Sequence, residues 1–205
     1  MSRSLGLPAA VAARVARLAA VAARVALSAA AVLVVLSACT AAVEPDEPEI
    51  PSPFTDCAAL TGSAPAATEL PEVVLPCFTG GAEVSMGDLR LPAVINIWAS
   101  FCAPCRDELP VMQGLADRAD GRYTVVGVDS GDGRSAAASF AADHDVSFPT
   151  LFDPERRFAS ALGQATLPVT VFVGADGRMY VHREAVNVDD LIKLMPEHTG
   201  VTVKR

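Results

Sequence analysis

Cys102 and Cys105 stand three residues apart, with Ala103 and Pro104 between them. Two thiols at that spacing can join in a disulfide, exchange it with another disulfide, or share a metal ion, and the flanking chain decides among these. Ahead of the pair runs Ala93-Val94-Ile95-Asn96-Ile97-Trp98-Ala99. This apolar, β-branched run suits a central strand covered on both faces. Behind the pair a helix is expected from Cys102 to Arg118. Pro104 falls in its first turn, where proline lacks only an N–H that would have had no intrahelical partner. Leu109, Met112, Leu115 and Ala116 recur on one face of that helix. Pro110 lies in its interior and is expected to bend it.

That placement assigns the chemistry. First-turn N–H groups are unpaired and the positive end of the helix dipole lies there, so both favour a thiolate at Cys102. Each pKa unit of depression is worth about 1.4 kcal/mol of preference for the charged form. Cys102 is therefore expected to be the nucleophile in thiol–disulfide exchange, and Cys105, one turn inward, to resolve the mixed disulfide. A zinc site would have to recruit Cys57 and Cys77, which lack the close spacing such sites use. No metal and no cofactor is expected.

The stretch Trp98-Ala99-Ser100-Phe101-Cys102-Ala103-Pro104-Cys105-Arg106-Asp107-Glu108-Leu109-Pro110 resembles the active-site motif of the TlpA/ResA-like branch of the thioredoxin superfamily. The resemblance runs from about Leu70 to Met195. Phe101 departs from the common tryptophan, and Ala103 takes the variable position before Pro104. The resemblance implies a thioredoxin-like sandwich and further site residues. Glu108, by itself a solvated acid near a helix start, becomes a partly buried carboxylate that tunes the cysteines. Asn96 stands where ordinary thioredoxins place a buried aspartate, so Glu108 would replace that acid. Thr166-Leu167-Pro168-Val169-Thr170 matches the segment carrying a cis proline beside the cysteines, with Val169 departing from the usual threonine. Trp98, Phe101, Ala103, Pro104 and Leu167 are then expected to form the substrate-binding surface. Implied partners are exported proteins with disulfides or thiols, apocytochrome c among them, and a membrane redox donor or acceptor.

The remaining elements must hold this site. Short extended segments are expected at Val73-Val74-Leu75 and around Val84, and a second buried strand over Tyr123–Val128. Asp129-Ser130-Gly131-Asp132-Gly133 reads as a loop, without the regularly spaced oxygens of a calcium site. Helices over 135–143, 155–162 and 188–195 alternate with extended stretches over 146–152 and 169–173. A turn at Gly174-Ala175-Asp176-Gly177 leads to a return strand over 179–183. Parallel strands linked by helices and then an antiparallel hairpin make an α/β sandwich with a central mixed sheet and an N-terminal extension. His144, His182 and His198 are scattered and expected to be solvated.

Residues 1–24 hold four arginines and no acid, and Val25–Val43 no charge at all. Basic then apolar is the pattern of an export signal. Leu36-Ser37-Ala38-Cys39 resembles the lipobox of bacterial lipoproteins, which implies cleavage before Cys39 and acylation of it. Each buried lipid CH₂ contributes roughly 0.8 kcal/mol, enough in sum to hold a domain at the bilayer. The alternative is an uncleaved anchor of 19 uncharged residues. Either way the domain faces outward at the cell membrane. The expected division is signal peptide 1–38, acidic Pro-rich linker 39–56 and thioredoxin-like domain 57–205. After cleavage 12 basic residues face 24 acidic ones, a net of −12, which argues against nucleic acid.

With Cys39 taken by lipid, four cysteines remain and three pairings are formally possible. Cys102 and Cys105 belong together, so Cys57 and Cys77 are the remainder, a structural disulfide worth roughly 3 kcal/mol by loop entropy. The expected function is reduction of protein disulfides on the outer side of the membrane, in cytochrome c maturation. The alternatives are oxidation or isomerisation of exported thiols, a peroxiredoxin-like peroxidase, and a non-catalytic lipoprotein binding module. The peroxidase reading lacks its Pro-x-x-x-Thr-x-x-Cys setting.

Overall fold

The computed structural model describes residues 51–62 and 67–205. The signal segment, Cys39 and linker residues 40–50 lie outside the described residues. Five strands form the main sheet: β3 (Ala93–Trp98), β4 (Thr124–Ser130), β5 (Thr150–Asp153), β6 (Val169–Val173) and β7 (Met179–His182). They stand in the order β5-β4-β3-β6-β7. β3 pairs in parallel with β4, and β4 with β5, while β6 runs antiparallel to both β3 and β7. β1 (Val74–Pro76) and β2 (Glu83–Ser85) form a separate antiparallel pair. The helices are α1 (Cys105–Asp117), α2 (Arg134–Asp143), α3 (Arg157–Ala161) and α4 (Val188–Thr199). This is the mixed-sheet α/β sandwich expected.

β3 occupies the middle of the sheet, and all six of its residues are buried. Its two faces feed two cores. Val94 and Trp98 join Leu109, Met112 and Leu115 of α1, Phe140 of α2 and Leu191 and Met195 of α4. Ile95 and Ile97 point the other way, to Val126, Val128, Phe158 of α3 and the N-terminal elements. A continuous apolar strand, rather than an alternating one, is what two covered faces require.

Expectations change in several places. First, α1 begins at Cys105 with Pro104 at its N-cap, so Cys102 lies in the turn before the helix rather than inside it. Pro104 still occupies a place where no N–H is needed, and the helix runs on through Pro110. Second, β4 continues to Ser130, so Asp129 and Ser130 are strand residues, completely buried. The turn composition of the sequence there begins only at Gly131. Third, residues 51–56 are not spacer: Phe54 is buried among Phe78 and Trp98, with ring centroids 4.8 and 6.0 Å away. An aromatic ring of that size has enough apolar area to order its own short segment despite the prolines around it.

α4 also outlasts its expected end, passing Pro196 to Thr199, with Gly200 at φ 75° closing it. Asn187 starts it with a reciprocal cap to Asp190. Cys57 and Cys77 are disulfide-bonded, with Cα atoms 5.9 Å apart. Both are buried, and Cys77 bridges to Leu151 of β5, so the bond ties the N-terminal segment to the sheet edge. Among the described residues no helix is long and apolar enough to cross a membrane.

Candidate active site

β3 delivers the chain to the site and then stops. Ala99 remains buried, and the Cys102 N–H donates to the Ala99 carbonyl at 3.1 Å, closing a tight turn. The Cys105 N–H donates in turn to the Cys102 carbonyl at 3.2 Å. Cys102 and Cys105 form a disulfide, with Cα atoms 5.3 Å apart. Cys102 keeps 7% of its surface in solvent and Cys105 none, an asymmetry that gives a client access to one sulfur only. Phe101, 66% exposed, projects beside Cys102, and Ala103 and Pro104 are exposed as well.

The Leu167–Pro168 peptide is cis. Pro168 directly precedes Val169, which pairs with Ile97, so it stands level with Trp98 at the end of β3 that leads into the cysteine turn. Leu167 is half-buried there and packs against both cores. A second cis bond, Leu91–Pro92, lies just ahead of β3 and was not anticipated.

Glu108 is almost fully buried, not solvated. Its Oε2 accepts from Asn96 Nδ2 at 2.9 Å, and its Oε1 accepts from Thr170 Oγ1 and from the Val186 N–H, each at 3.0 Å. Asn96 Nδ2 also donates to Thr170 Oγ1 at 3.2 Å. One carboxylate thus joins α1, β3, β6 and the segment before α4. Burial pushes its pKa up, and the bonds from Val186, Asn96 and Thr170 pull it part of the way back. The amide at position 96 and the acid at 108 therefore share one buried network.

Trp98 requires a correction as a substrate contact. It has no exposed surface, stacking instead on Phe140 at 5.9 Å and lying against Phe54. Its indole passes so close to Gly127 that a Cβ there would meet Nε1 at 3.1 Å and Thr150 Oγ1 at 2.6 Å. Trp98 floors the site and does not reach a client. Of the residues expected to bind substrate, Phe101, Ala103, Pro104 and Leu167 have surface to offer.

Two acids were missed. Asp129 of β4, paired in register with Trp98, is fully buried, and neither carboxylate oxygen has a hydrogen-bond partner in the structure. Burial, with the charges of Asp132 and Asp153 beside it, pushes its pKa up to about 8, against the opposing pull of Arg134. Asp132, read as a turn residue, accepts a bond from the Ser100 N–H. Nothing in the string Asp-Ser-Gly-Asp-Gly separates these acids from ordinary turn formers. The four cysteines of the domain are joined in two pairs, and among the described residues no group of three or more His, Cys, Asp or Glu is arranged to hold a metal.

Residues 66–182, more than half of the chain, match the model of the AhpC/TSA family. The chain belongs to the AhpC/TSA family. Within it the chain is similar to the thiol:disulfide interchange protein DsbE homolog of Paracoccus denitrificans, 35% identical over 141 residues that cover 66% of this chain and 76% of that protein. It is also similar to the thiol–disulfide oxidoreductase ResA of Bacillus subtilis, 27% identical over 103 residues covering 49% of this chain and 58% of ResA. Among solved structures, the DsbF homologue of Corynebacterium diphtheriae superposes with a TM-score of 0.56 at 28% identity, over 62% of this chain and 85% of that one. With its cysteine pair at the mouth of a thioredoxin-like sheet, this AhpC/TSA-family chain is a thiol–disulfide oxidoreductase.

Proposed function

We propose that the protein reduces disulfides of exported proteins from a lipid-anchored position on the outer face of the membrane, with apocytochrome c among its clients. In the reduced pair, the Cys102 thiolate attacks a client disulfide, forming a Cys102–client bond and releasing one client thiolate. Cys105 then loses its proton, and its sulfur attacks Cys102. The intramolecular disulfide forms and the second client thiolate leaves. The proton from Cys105 and the one Cys102 gave up on ionising end on the two client thiols, and a membrane dithiol donor returns two electrons and two protons to the pair.

The observation that carries this reading is the unequal exposure of two bonded cysteines at the end of the central strand. Cys102 is the attacking sulfur and Cys105 the resolving one. Glu108 holds or takes the proton exchanged near the pair, since it lies one turn after Cys105 and burial raises its pKa above that of a free carboxylate. Pro168 shapes the wall beside Cys102, the Leu167 backbone aligns an extended client, and Phe101, Ala103 and Pro104 meet its side chains. Cys57–Cys77 serves structure alone. The basic segment, the uncharged run and Leu36-Ser37-Ala38-Cys39 support export, cleavage after residue 38 and acylation of Cys39. Residues from 39 to about 50 then space the domain from the bilayer.

The direction of electron flow is tested by trapping mixed disulfides in membranes carrying Cys105→Ala. Recovery of apocytochrome c on Cys102 is the expected result. A broad set of exported clients without apocytochrome would overturn reduction in favour of oxidation.

A further inference from the structure

The turn that carries Cys102 is held from the far side of the site. β3 ends at Trp98, and the N–H of Ser100 lies beyond the sheet ladder. It donates to Asp132 Oδ2 at 2.5 Å, across 32 residues of chain. The other oxygen of the same carboxylate, Oδ1, accepts from the Gly133 N–H at 2.8 Å, where α2 begins. Asp132 therefore spans two backbones: one oxygen on its own helix start, the other on the root of the cysteine turn.

The support behind Asp132 is itself fixed. Gly131 adopts φ 76°, and its N–H donates to the Asp153 carbonyl of β5 at 2.9 Å. A Cβ at Gly131 would meet the Arg156 side chain at 2.8 Å, so the turn is closely fitted against the residue that starts α3. Arg134, two residues past Asp132, lies over the rings of Phe78 and Phe152 and donates to the Phe78 carbonyl at 2.7 Å. Asp132, Arg134 on α2 and Asp153 on β5 all lie within electrostatic reach of the buried Asp129 on β4. Against this turn stands the client-facing tip: Ser100 is half-buried and Phe101 is mostly exposed.

We propose that Asp132 is a positioning residue of the active site, whose bond to the Ser100 N–H fixes the Ser100–Phe101–Cys102 segment in the geometry needed for attack. This rests on Cys102 being the nucleophile. A charge-assisted bond to an otherwise unclaimed amide is strong and directional. It acts two residues from the reacting sulfur, where a displacement of about 1 Å costs on the order of 10²-fold in rate. The bond requires an acceptor at that place; an asparagine keeps one oxygen for the Ser100 N–H but must then turn its NH₂ toward the Gly133 N–H, so it restores the bond only in part.

The test compares Asp132→Ala, Asp132→Asn and Asp132→Glu in the reduced protein, using the rate of client-disulfide reduction and the pH profile of Cys102 alkylation. Oxidised glutathione is one substrate and a disulfide peptide the other. Asp132→Ala is expected to lose roughly tenfold or more in kcat/KM and to broaden or displace the alkylation profile, while Asp132→Asn, which keeps one acceptor oxygen, recovers part of the rate. If Asp132→Ala does not fold, the other two decide: both impaired, Asn less than Glu, whose charge is kept but whose acceptor is displaced. Wild-type behaviour of Asp132→Ala, or equal impairment of Asn and Ala, overturns the clamp. An unmodified protein that reduces neither substrate would sink the reading of Cys102 instead, so the two failures are distinct.

Discussion

Asn96 Nδ2 donates to Glu108 Oε2 at 2.9 Å, binding the central strand to the helix that the cysteines open. The bond joins a residue six before Cys102 to one three after Cys105, with both partners buried. It makes the acid's environment a property of the whole site, because the same carboxylate also takes Thr170 beside the cis proline and the backbone ahead of α4.

Glu108→Gln tests that link. With three donors converging on the carboxylate, a glutamine must turn its amide NH₂ toward at least one of them. A loss of about 1–3 kcal/mol in stability is expected from the mismatched pair. More specifically, removing an ionisable acid near the thiols removes a charge that opposes the thiolate, so the Cys102 alkylation profile should move to lower pH. An alkylation curve identical to wild type would remove Glu108 from the site chemistry, whatever the melting temperature did.

Asp129 gives a pH signature of its own. The unfolded chain releases this proton near pH 4, whereas the fold keeps it until about pH 8. Between those values the folded state binds the extra proton, so stability falls as pH rises across the window. Asp129→Asn should flatten that slope. Relative to wild type it should gain little at pH 5 and on the order of a few kcal/mol at pH 9, read as several degrees in Tm. Parallel curves for the two proteins would show that the carboxyl is not held neutral.

Phe54 should behave as core. Phe54→Ala deletes a ring packed against Phe78 and Trp98, and about 3–5 kcal/mol is the usual cost of such a deletion. Chemical denaturation of the domain reports it. A change below about 0.5 kcal/mol, the range of surface substitutions, would return residues 51–56 to the role of linker. Because Trp98 floors the cysteine turn, its fluorescence should respond as well.

These cases show which signals the chain carries in its letters. β3 and the helix that follows the cysteines were legible because an uninterrupted apolar run and the residues after it leave few alternatives, though the turn holding Cys102 was read as helix. The order of helices and strands followed from periodicity, and the hairpin from Gly174 to Gly177. The depth of Glu108 was not legible from composition, since an acid near a helix start is favourable whether solvated or buried; only the family motif hinted at it. Asp129 was hidden because a strand that ends in Asp-Ser before Gly looks like a turn from its first polar letter. Phe54 was hidden among prolines and acids that suggest a spacer. In each case the missing information was the tertiary partner: Asn96 and Thr170 for Glu108, Trp98 for Asp129, Phe78 for Phe54.

The most direct test is the competition between the two thiols of the fully reduced domain for iodoacetamide near neutral pH, resolved by peptide mass. Cys102 should be labelled well ahead of Cys105 and faster than an unstructured peptide thiol, because it alone has surface in solvent and it lies at the positive end of α1. Equal labelling of both positions, at the rate of the free peptide, would contradict the account.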